Sequence, residues 1–428
     1  MSKIVMYLRQ TLATLREEPL YSAMYIAGTA LAIAFVMLIA EIYYVKVADI
    51  APEVNRSKTY YLEYLGLKND DHRVEVIRYD VFRELLHTMK TPTCVSGELD
   101  FWAKGDFYMQ LADGVHDRQV QVKLTDPDFF RLYDFRFLEG KPFAQDDFDA
   151  HRPVAVVTEE VAKDANVTVG QTITINHRPY RIIGVVQTPS VLTEQCVADV
   201  WIPYTAEGIL KDWNVDFHEV SQDVTFVVPS GKRDAFVQEL KEVEARYNAV
   251  HSDDPINITA ELKSHYATVW DDLAGVFNAW GKNLIWYVTP AILLLLLVPA
   301  LNLSGMVASR MERRLPEMAI RKAFGAKRRT LLAQVIMENL LLTLIGGLLG
   351  LAIAWLALYA WRDWVFYIFS GIYGQPQAVP ILRGEMFFGP MVFGIALLVC
   401  VVLNVLAATI PAWLSLRKPI VESMMIKK

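Results

Sequence analysis

Three cysteines in 428 residues leave room for one disulfide at most. Cys94 and Cys196 lie in a polar stretch and are the only candidate pair. Cys400 lies in an apolar run, where a small packing residue is the simpler reading. No HExxH, CxxC, GxSxG or dinucleotide fingerprint occurs, so no motif supports a metal, redox, acyl-transfer or dinucleotide site. A GxxxxGK[ST] phosphate loop is absent too. The Gly-Lys pairs at 140, 231 and 281 lack both the preceding glycine and the following Ser or Thr. The acidic pairs Asp146, Asp147 and Asp253, Asp254 sit in turn-like sequence and read as solvated turn acids. No catalytic, cofactor-binding or metal residue is therefore assigned. An excess of positive charge is missing as well. Net charge is −6 overall, and residues 47–283 hold 24 basic against 39 acidic residues, which excludes nucleic acid as a partner.

What the chain does have is apolar length. Hydrophobic residues make up 53% while charged ones stay at 21%, the balance of a protein that is part membrane and part water. Four stretches reach the roughly 20 residues needed to cross about 30 Å of hydrocarbon: 21–46, 284–309, 331–360 and 387–414. The first is too long for a signal-peptide core and lacks a clear cleavage site, so it reads as a retained anchor. Lys3, Arg9 and Arg16 precede the first span, and Arg417, Lys418, Lys427 and Lys428 follow the last. This bias places both termini in the cytoplasm, residues 1–20 as an amphipathic helix and 415–428 as a tail. Aromatic residues at span ends, Tyr43, Tyr44, Trp286, Tyr287, Trp361 and Trp364, fit interfacial belts on the outer side, where 361–386 forms a short loop.

The densest local signal lies in 310–330. Eight of the twenty residues from Arg310 to Arg329 are Lys or Arg, against two Glu, which marks a cytoplasmic loop. Within it the sequence predicts a short helix of about nine residues. Pro316 suits the first helical position, Glu317 the positive dipole end, Arg321 and Lys322 the negative end, and Gly325 the stop. Glu317 with Arg321 makes an i,i+4 pair, and Ile320 with Phe324 an apolar stripe one turn long. Such a helix suits anionic lipid headgroups and a protein partner equally.

Two carboxylates fall inside spans. Snorkelling to the interface is the cheaper account of Glu41, whereas Glu338 lies about two turns past the basic patch, within reach of an Arg or Lys there. Gly346, Gly347 and Gly350 form a small-residue surface for close helix packing, a candidate dimer contact.

The outer segment 47–283 alternates strand and helix signals at its two ends and turns β-rich between them. Thr59–Leu65 is β-like, Tyr79–Met89 helix-like and Cys94–Met109 strand-like. Pro153–Thr158, Thr172–Asn176 and Tyr180–Val186 are short β-runs. Asp223–Val228 reads as a strand, Arg233–Tyr247 as an amphipathic helix and Ile256–Leu262 as another strand. The expected result is a two-layer α+β unit, 58–119 with 216–262, interrupted by a β-rich insert, 120–215, and followed by a helical stalk, 263–283. Val47–Val54 could prolong the first span, though Pro52 limits that.

Three blocks resemble the MacB/FtsX-type permeases of ABC transport systems. One is LNLSGMVASRMERRLPEMAIRKAFGAKRRTLLAQVIMENLLLTLIGGLLG, Leu301–Gly350. Another is VKLTDPDFFRLYDFRFLEGKPF, Val122–Phe143, followed by PVAVVTEEVA, VGQTITINHRPYRIIGVV and DVWIPY; the last is IPAWLSLRKPIVESM, Ile410–Met424. The resemblance implies an α-helical membrane protein with four transmembrane helices and a large α+β periplasmic domain between helices 1 and 2, a porter-like subdomain interrupted by the β-rich one. It also implies a bacterial inner-membrane location and an ATPase-coupling helix formed by Arg314, Pro316, Glu317, Ile320, Arg321, Lys322, Phe324 and Gly325. ATP-Mg would be bound by a separate ABC ATPase subunit, and the permease would form a homo- or heterodimer packed through Gly346, Gly347, Gly350 and Glu338. Motion of the outer domain would serve efflux or export, with membrane lipids around it. Lipoprotein release, control of cell-wall hydrolases, or a membrane-anchored receptor with no ATPase are the alternatives. Whether a periplasmic adaptor and an outer-membrane channel join stays open. Proline at 316 departs from many relatives, and no substrate-facing motif transfers.

Overall fold

The computed structural model describes residues 16–68, 70–100, 107–190, 192–206, 221–252, 255–276, 304–305, 307–369 and 390–417. Residues 1–15, most of the expected second span with the last third of the stalk, most of the loop 361–386, and 418–428 lie outside these. The longer helices are α1 (Pro19–Val47), α2 (Arg233–Val250), α3 (His265–Val276), α4 (307–323), α5 (Arg328–Phe369) and α6 (Pro390–Arg417). They divide between a helical unit and an outer unit that begins at Lys46 and runs to Gly275.

In the helical unit, three helices among the described residues are long and apolar enough to cross a membrane: Pro19–Val47, Arg328–Trp361 and Leu397–Leu414. The third expected span ends where α5 leaves helical geometry, at Trp361 (φ −114°, ψ 15°). α1 and α5 run parallel, because their contacts advance together. The Tyr25 hydroxyl lies 3.2 Å from Thr343 Oγ1. Farther along, a Cβ on Gly346 would stand 2.9 Å from Thr29 Cβ, and one on Gly350 only 2.4 Å from the Ala30 carbonyl oxygen. α6 runs the other way: Leu397 packs with Ala354 and Ile33, whereas Ala408 and Ala412 pack with Leu331 and Val335. Glu41 does not snorkel. It is 4% exposed, and burial within the protein removes it from lipid as well as a reach to the interface would.

Among the described residues the outer unit has fifteen strands: β1 (Thr59–Leu62), β2 (Tyr64–Leu67), β3 (Asp70–Val76), β4 (Cys94–Asp100), β5 (Phe107–Gln110), β6 (Asp117–Val120), β7 (Val122–Thr125), β8 (Phe137–Gly140), β9 (Val154–Thr158), β10 (Thr172–Ile175), β11 (Arg178–Val186), β12 (Val200–Pro203), β13 (Ser221–Val227), β14 (Ile256–Asn257) and β15 (Lys263–Ser264). Twelve share one ladder in the order β15-β1-β13-β4-β7-β12-β9-β11-β10-β5-β6, with β8 on β11; β14-β2-β3 form a second sheet. α2 covers the first lobe, burying Phe236, Leu240 and Val243 against Val224 and Phe226. The β-rich lobe holds two cores, one around Val157, Ile182 and Val200, the other around Phe129, Phe135 and Trp201.

Two expectations change here. Residues 107–120 pair and pack with the β-rich lobe, Met109 opposite Ile175, rather than with the first α+β unit. Ile256–Leu262 is not one strand: the Asn257 side chain accepts the Ala260 N–H at 3.3 Å and caps a helical turn, Ile258–Glu261. The lobes meet where β4 pairs β7. Asp126, 2% exposed, sits just past that pairing. Its carboxylate accepts the Ser96 hydroxyl at 2.7 Å and the backbone N–H groups of Gly97 at 2.8 Å and Phe129 at 3.1 Å. Cys94 and Cys196 are free thiols, their Sγ atoms each donating to a backbone carbonyl, Asp128 and Thr193.

Candidate functional site

The basic loop folds as one continuous helix, not as a nine-residue segment starting at Pro316. Helical backbone runs through 307–323, so Pro316 lies in its interior and withholds the N–H that the Glu312 carbonyl would otherwise accept. Burial carries the helix across that break. Val307, Met311, Leu315 and Met318 recur at helical spacing and are all at most 5% exposed, and Val307, Met311 and Met318 pack with Tyr25, Leu331 and Ala412. Local propensity placed the start at the proline, and tertiary packing overrides it.

The C-terminus follows the sequence reading. Gly325 takes φ +90°, its N–H bonds the Lys322 carbonyl at 2.9 Å, and the Ala326 N–H bonds the Arg321 carbonyl at 3.0 Å. This is the Schellman closure that a left-handed glycine permits. On the solvent side Arg321 Nη2 donates to Glu317 Oε1 at 2.6 Å, and Arg321 Nη1 to Gln334 Oε1 at 3.2 Å, tying α4 to the start of α5. Ile320 is 49% and Phe324 89% exposed on the same side. Lys322 is half-buried, and that burial, with Arg328 nearby, pushes its amine below the usual lysine range.

At its other end α4 is held by charge. Arg310, 7% exposed, donates from Nε to Glu18 Oε2 at 2.8 Å, makes ionic contact with Glu338, and lies 4.5 Å from the Tyr21 ring centroid. Arg314 Nη1 donates to the second Glu338 oxygen at 3.0 Å. Glu338 therefore takes two partners from the patch. Gly346, Gly347 and Gly350 lie apart from this cluster, against α1 and Leu397 of the same chain, which is where their missing side chains leave room. Sequence reasoning missed Glu18 and Tyr21. The available signal was an acid just before the first span, opposite in sign to the patch.

A second cluster that the sequence did not show sits where the outer unit begins. Arg56, 2% exposed, donates to Glu53 at 2.6 Å and to the Leu192 carbonyl at 2.8 Å. Glu53 also accepts the backbone N–H of Gln195 at 2.9 Å, and Lys46 donates to Glu194 at 3.0 Å. His265, at the start of α3, lies 2.8 Å through Nε2 from the Lys46 carbonyl and 3.1 Å through Nδ1 from the Tyr61 hydroxyl. The carbonyl accepts a hydrogen bond from Nε2–H, and burial pushes the pKa of the ring below the usual value. The cluster clasps the exit of α1, the entry of α3 and the 192–196 loop. Its members are up to 219 residues apart, so no spacing rule finds them.

These features meet known proteins at both ends of the chain. Residues 22–243 match the model of the MacB-like periplasmic core domain, and 291–420 that of the FtsX-like permease C-terminal domain. The ABC transporter permease YknZ of Bacillus subtilis is 23% identical over 251 residues, 56% of this chain and 58% of that protein. The macrolide export ATP-binding/permease protein MacB of Pasteurella multocida is 25% identical over 231 residues, 53% of this chain and 33% of that protein. The pyoverdine export ATP-binding/permease protein PvdT of Pseudomonas fluorescens is 23% identical over 249 residues, 56% and 36% respectively. The chain thus spans little more than half of the first relative and about a third of the others. The crystallised periplasmic region of MacB from Actinobacillus actinomycetemcomitans is similar at 15% identity, covering 50% of this chain and 91% of that one with a TM-score of 0.37. With a periplasmic core model over more than half its length and a permease model over most of the rest, this chain belongs to the MacB/FtsX family of ABC transporter permeases.

Proposed function

We propose that this permease converts ATP hydrolysis by a separate ABC ATPase subunit into movement of its periplasmic domain, in the direction of export. The observation that carries the reading is α4: a helix outside the apolar spans, fixed on one side by burial and ions, that leaves Phe324 89% exposed beside Ile320 and the Glu317–Arg321 pair. A large apolar side chain beside a paired acid and base is what a protein partner buries at the centre of an interface; a lipid surface uses the basic and apolar parts but gives Glu317 no role. ATP-Mg is assigned to that partner, and these 428 residues carry no phosphate loop of their own. Relatives named for macrolide and pyoverdine export support the direction.

The proposal includes a fourth span. α1 leaves the basic-loop end of the bundle and climbs about 40 Å to Val47, yet Val307 and Met311 pack back at the starting end with Tyr25 and Leu331. The intervening chain crosses the membrane once more, and 284–309 is the run long enough to do it. Four crossings put both termini and the basic loop in the cytoplasm of a bacterial inner membrane and the acidic outer unit in the periplasm. Two permeases pair over two ATPases.

The test is co-purification of the full chain with its ATPase after Phe324→Glu and Arg321→Glu. Each change is expected to weaken assembly at least tenfold, about 1.4 kcal/mol or more. Unchanged recovery of the ATPase would assign docking elsewhere.

A further inference from the structure

The ion cluster at the base of the bundle has more structure than stability requires. Two arginines of α4, Arg310 and Arg314, meet two carboxylates from different helices, Glu18 at the foot of α1 and Glu338 inside α5, so the cluster is neutral and joins three elements. Arg310 is its centre. It is the member that reaches both carboxylates, and its guanidinium also stands over the Tyr21 ring of α1. Replacing a buried ion cluster with apolar side chains of equal volume is often neutral or stabilising, so such clusters are weak evidence for stability. What a planar fork between two acids does supply is register: one position of α4 along α1 and α5, where an apolar contact would allow sliding.

The place of the cluster gives register a consequence. From Arg310 to Phe324 is fourteen residues, about 20 Å of helix, with the proposed docking face at the far end and Arg310 at the near end. On the other side of Arg310, α1 is wedged against α5 by the bare backbones of Gly346 and Gly350, and α1 runs on to Val47, past the first residue of the periplasmic unit. A displacement of α4 at the Phe324 end would reach the foot of α1 through this fork.

We propose that Arg310 is the positioning residue that transmits motion of the coupling helix to the first span, through Glu18 and Glu338; this rests on α4 being the ATPase-docking helix. Arg310 acts through these groups.

The experiment uses the full chain with its ATPase subunit in lipid nanodiscs. Three quantities are read: recovery of the ATPase, ATP turnover, and ATP-dependent hydrogen exchange of the peptide covering 263–276, which includes α3. Arg310→Met is expected to retain the ATPase and its turnover while the ATP-dependent exchange difference falls at least fivefold. Arg310→Lys, which keeps the charge and loses the fork, is expected to restore only part of the response. Should Arg310→Met fail to fold, Glu18→Gln serves in its place, since Glu18 is one third exposed and its loss is mild. It is expected to lower the response at least twofold at unchanged thermal stability. A wild-type exchange response in either variant overturns the proposal alone. A wild-type chain that does not retain the ATPase overturns the docking assignment and this proposal together.

Discussion

Asp126 shows how much one buried side chain sets. It follows β7 where the two periplasmic lobes join, and burial pushes its carboxyl up to about 6 in spite of the three donors facing it. Between its ordinary value near 4 and about 6 the folded protein therefore holds more proton than the unfolded chain. The stability this group contributes is complete below about pH 4 and is lost as pH rises through about 6. Against Asp126→Asn, which does not titrate, the wild-type advantage in a thermal melt of the full chain is expected to be largest near pH 4. It should shrink by pH 7, by at most on the order of 3 kcal/mol. A wild-type-minus-variant difference that stays flat from pH 4 to 7 would show that the site titrates as an exposed acid does. That this acid is buried against β4 is a tertiary fact that no local pattern in residues 125–129 announces.

Among elements, the pairing of α1 with α5 is the one on which the bundle depends. Gly350 sits so close to Ala30 that an added Cβ would meet its carbonyl oxygen at 2.4 Å, and backbone cannot step aside as a flexible side chain can. Gly394, by contrast, faces open space on α6. Gly350→Ala is expected to destabilise the detergent-solubilised protein by about 1–3 kcal/mol, whereas Gly394→Ala stays neutral or slightly stabilises. Equal melting temperatures for the two variants would contradict the α1–α5 packing. The three-glycine surface was legible from the sequence as a place of close helix contact, but its partner was not. A small-residue stripe fits any helix that approaches, and only the fold shows α1 of the same chain there. The helix of the basic loop divides in the same way. Its stop at Gly325 was legible because a left-handed residue after a basic turn is a local signal. Its start was not, because a proline that locally begins a helix is carried inside a longer one by the buried Val307, Met311, Leu315 and Met318.

At the scale of the whole molecule, the proposed topology puts the β5–β6 hairpin outside and the start of α5 inside. Val115 at the hairpin tip is 78% exposed, and Arg329 is exposed at the other end. In a chain whose native cysteines are replaced, Val115→Cys is expected to react with a membrane-impermeant maleimide once the outer envelope is opened. Arg329→Cys should react only after the inner membrane is breached. Labelling of Arg329→Cys in sealed spheroplasts would invert the topology. Length, hydropathy and the bias of Lys and Arg determined by themselves that this is a membrane protein with an acidic outer domain and a basic loop, because crossing a bilayer needs about twenty apolar residues in a row and charge bias is a sum along the chain. Only the tertiary structure decided that Arg310 joins Glu18 to Glu338, that His265 closes onto Lys46, and that 107–120 belongs to the β-rich lobe. Those contacts link residues up to 292 positions apart, and such pairings are settled by which surfaces exclude water together, a property no local window of sequence contains.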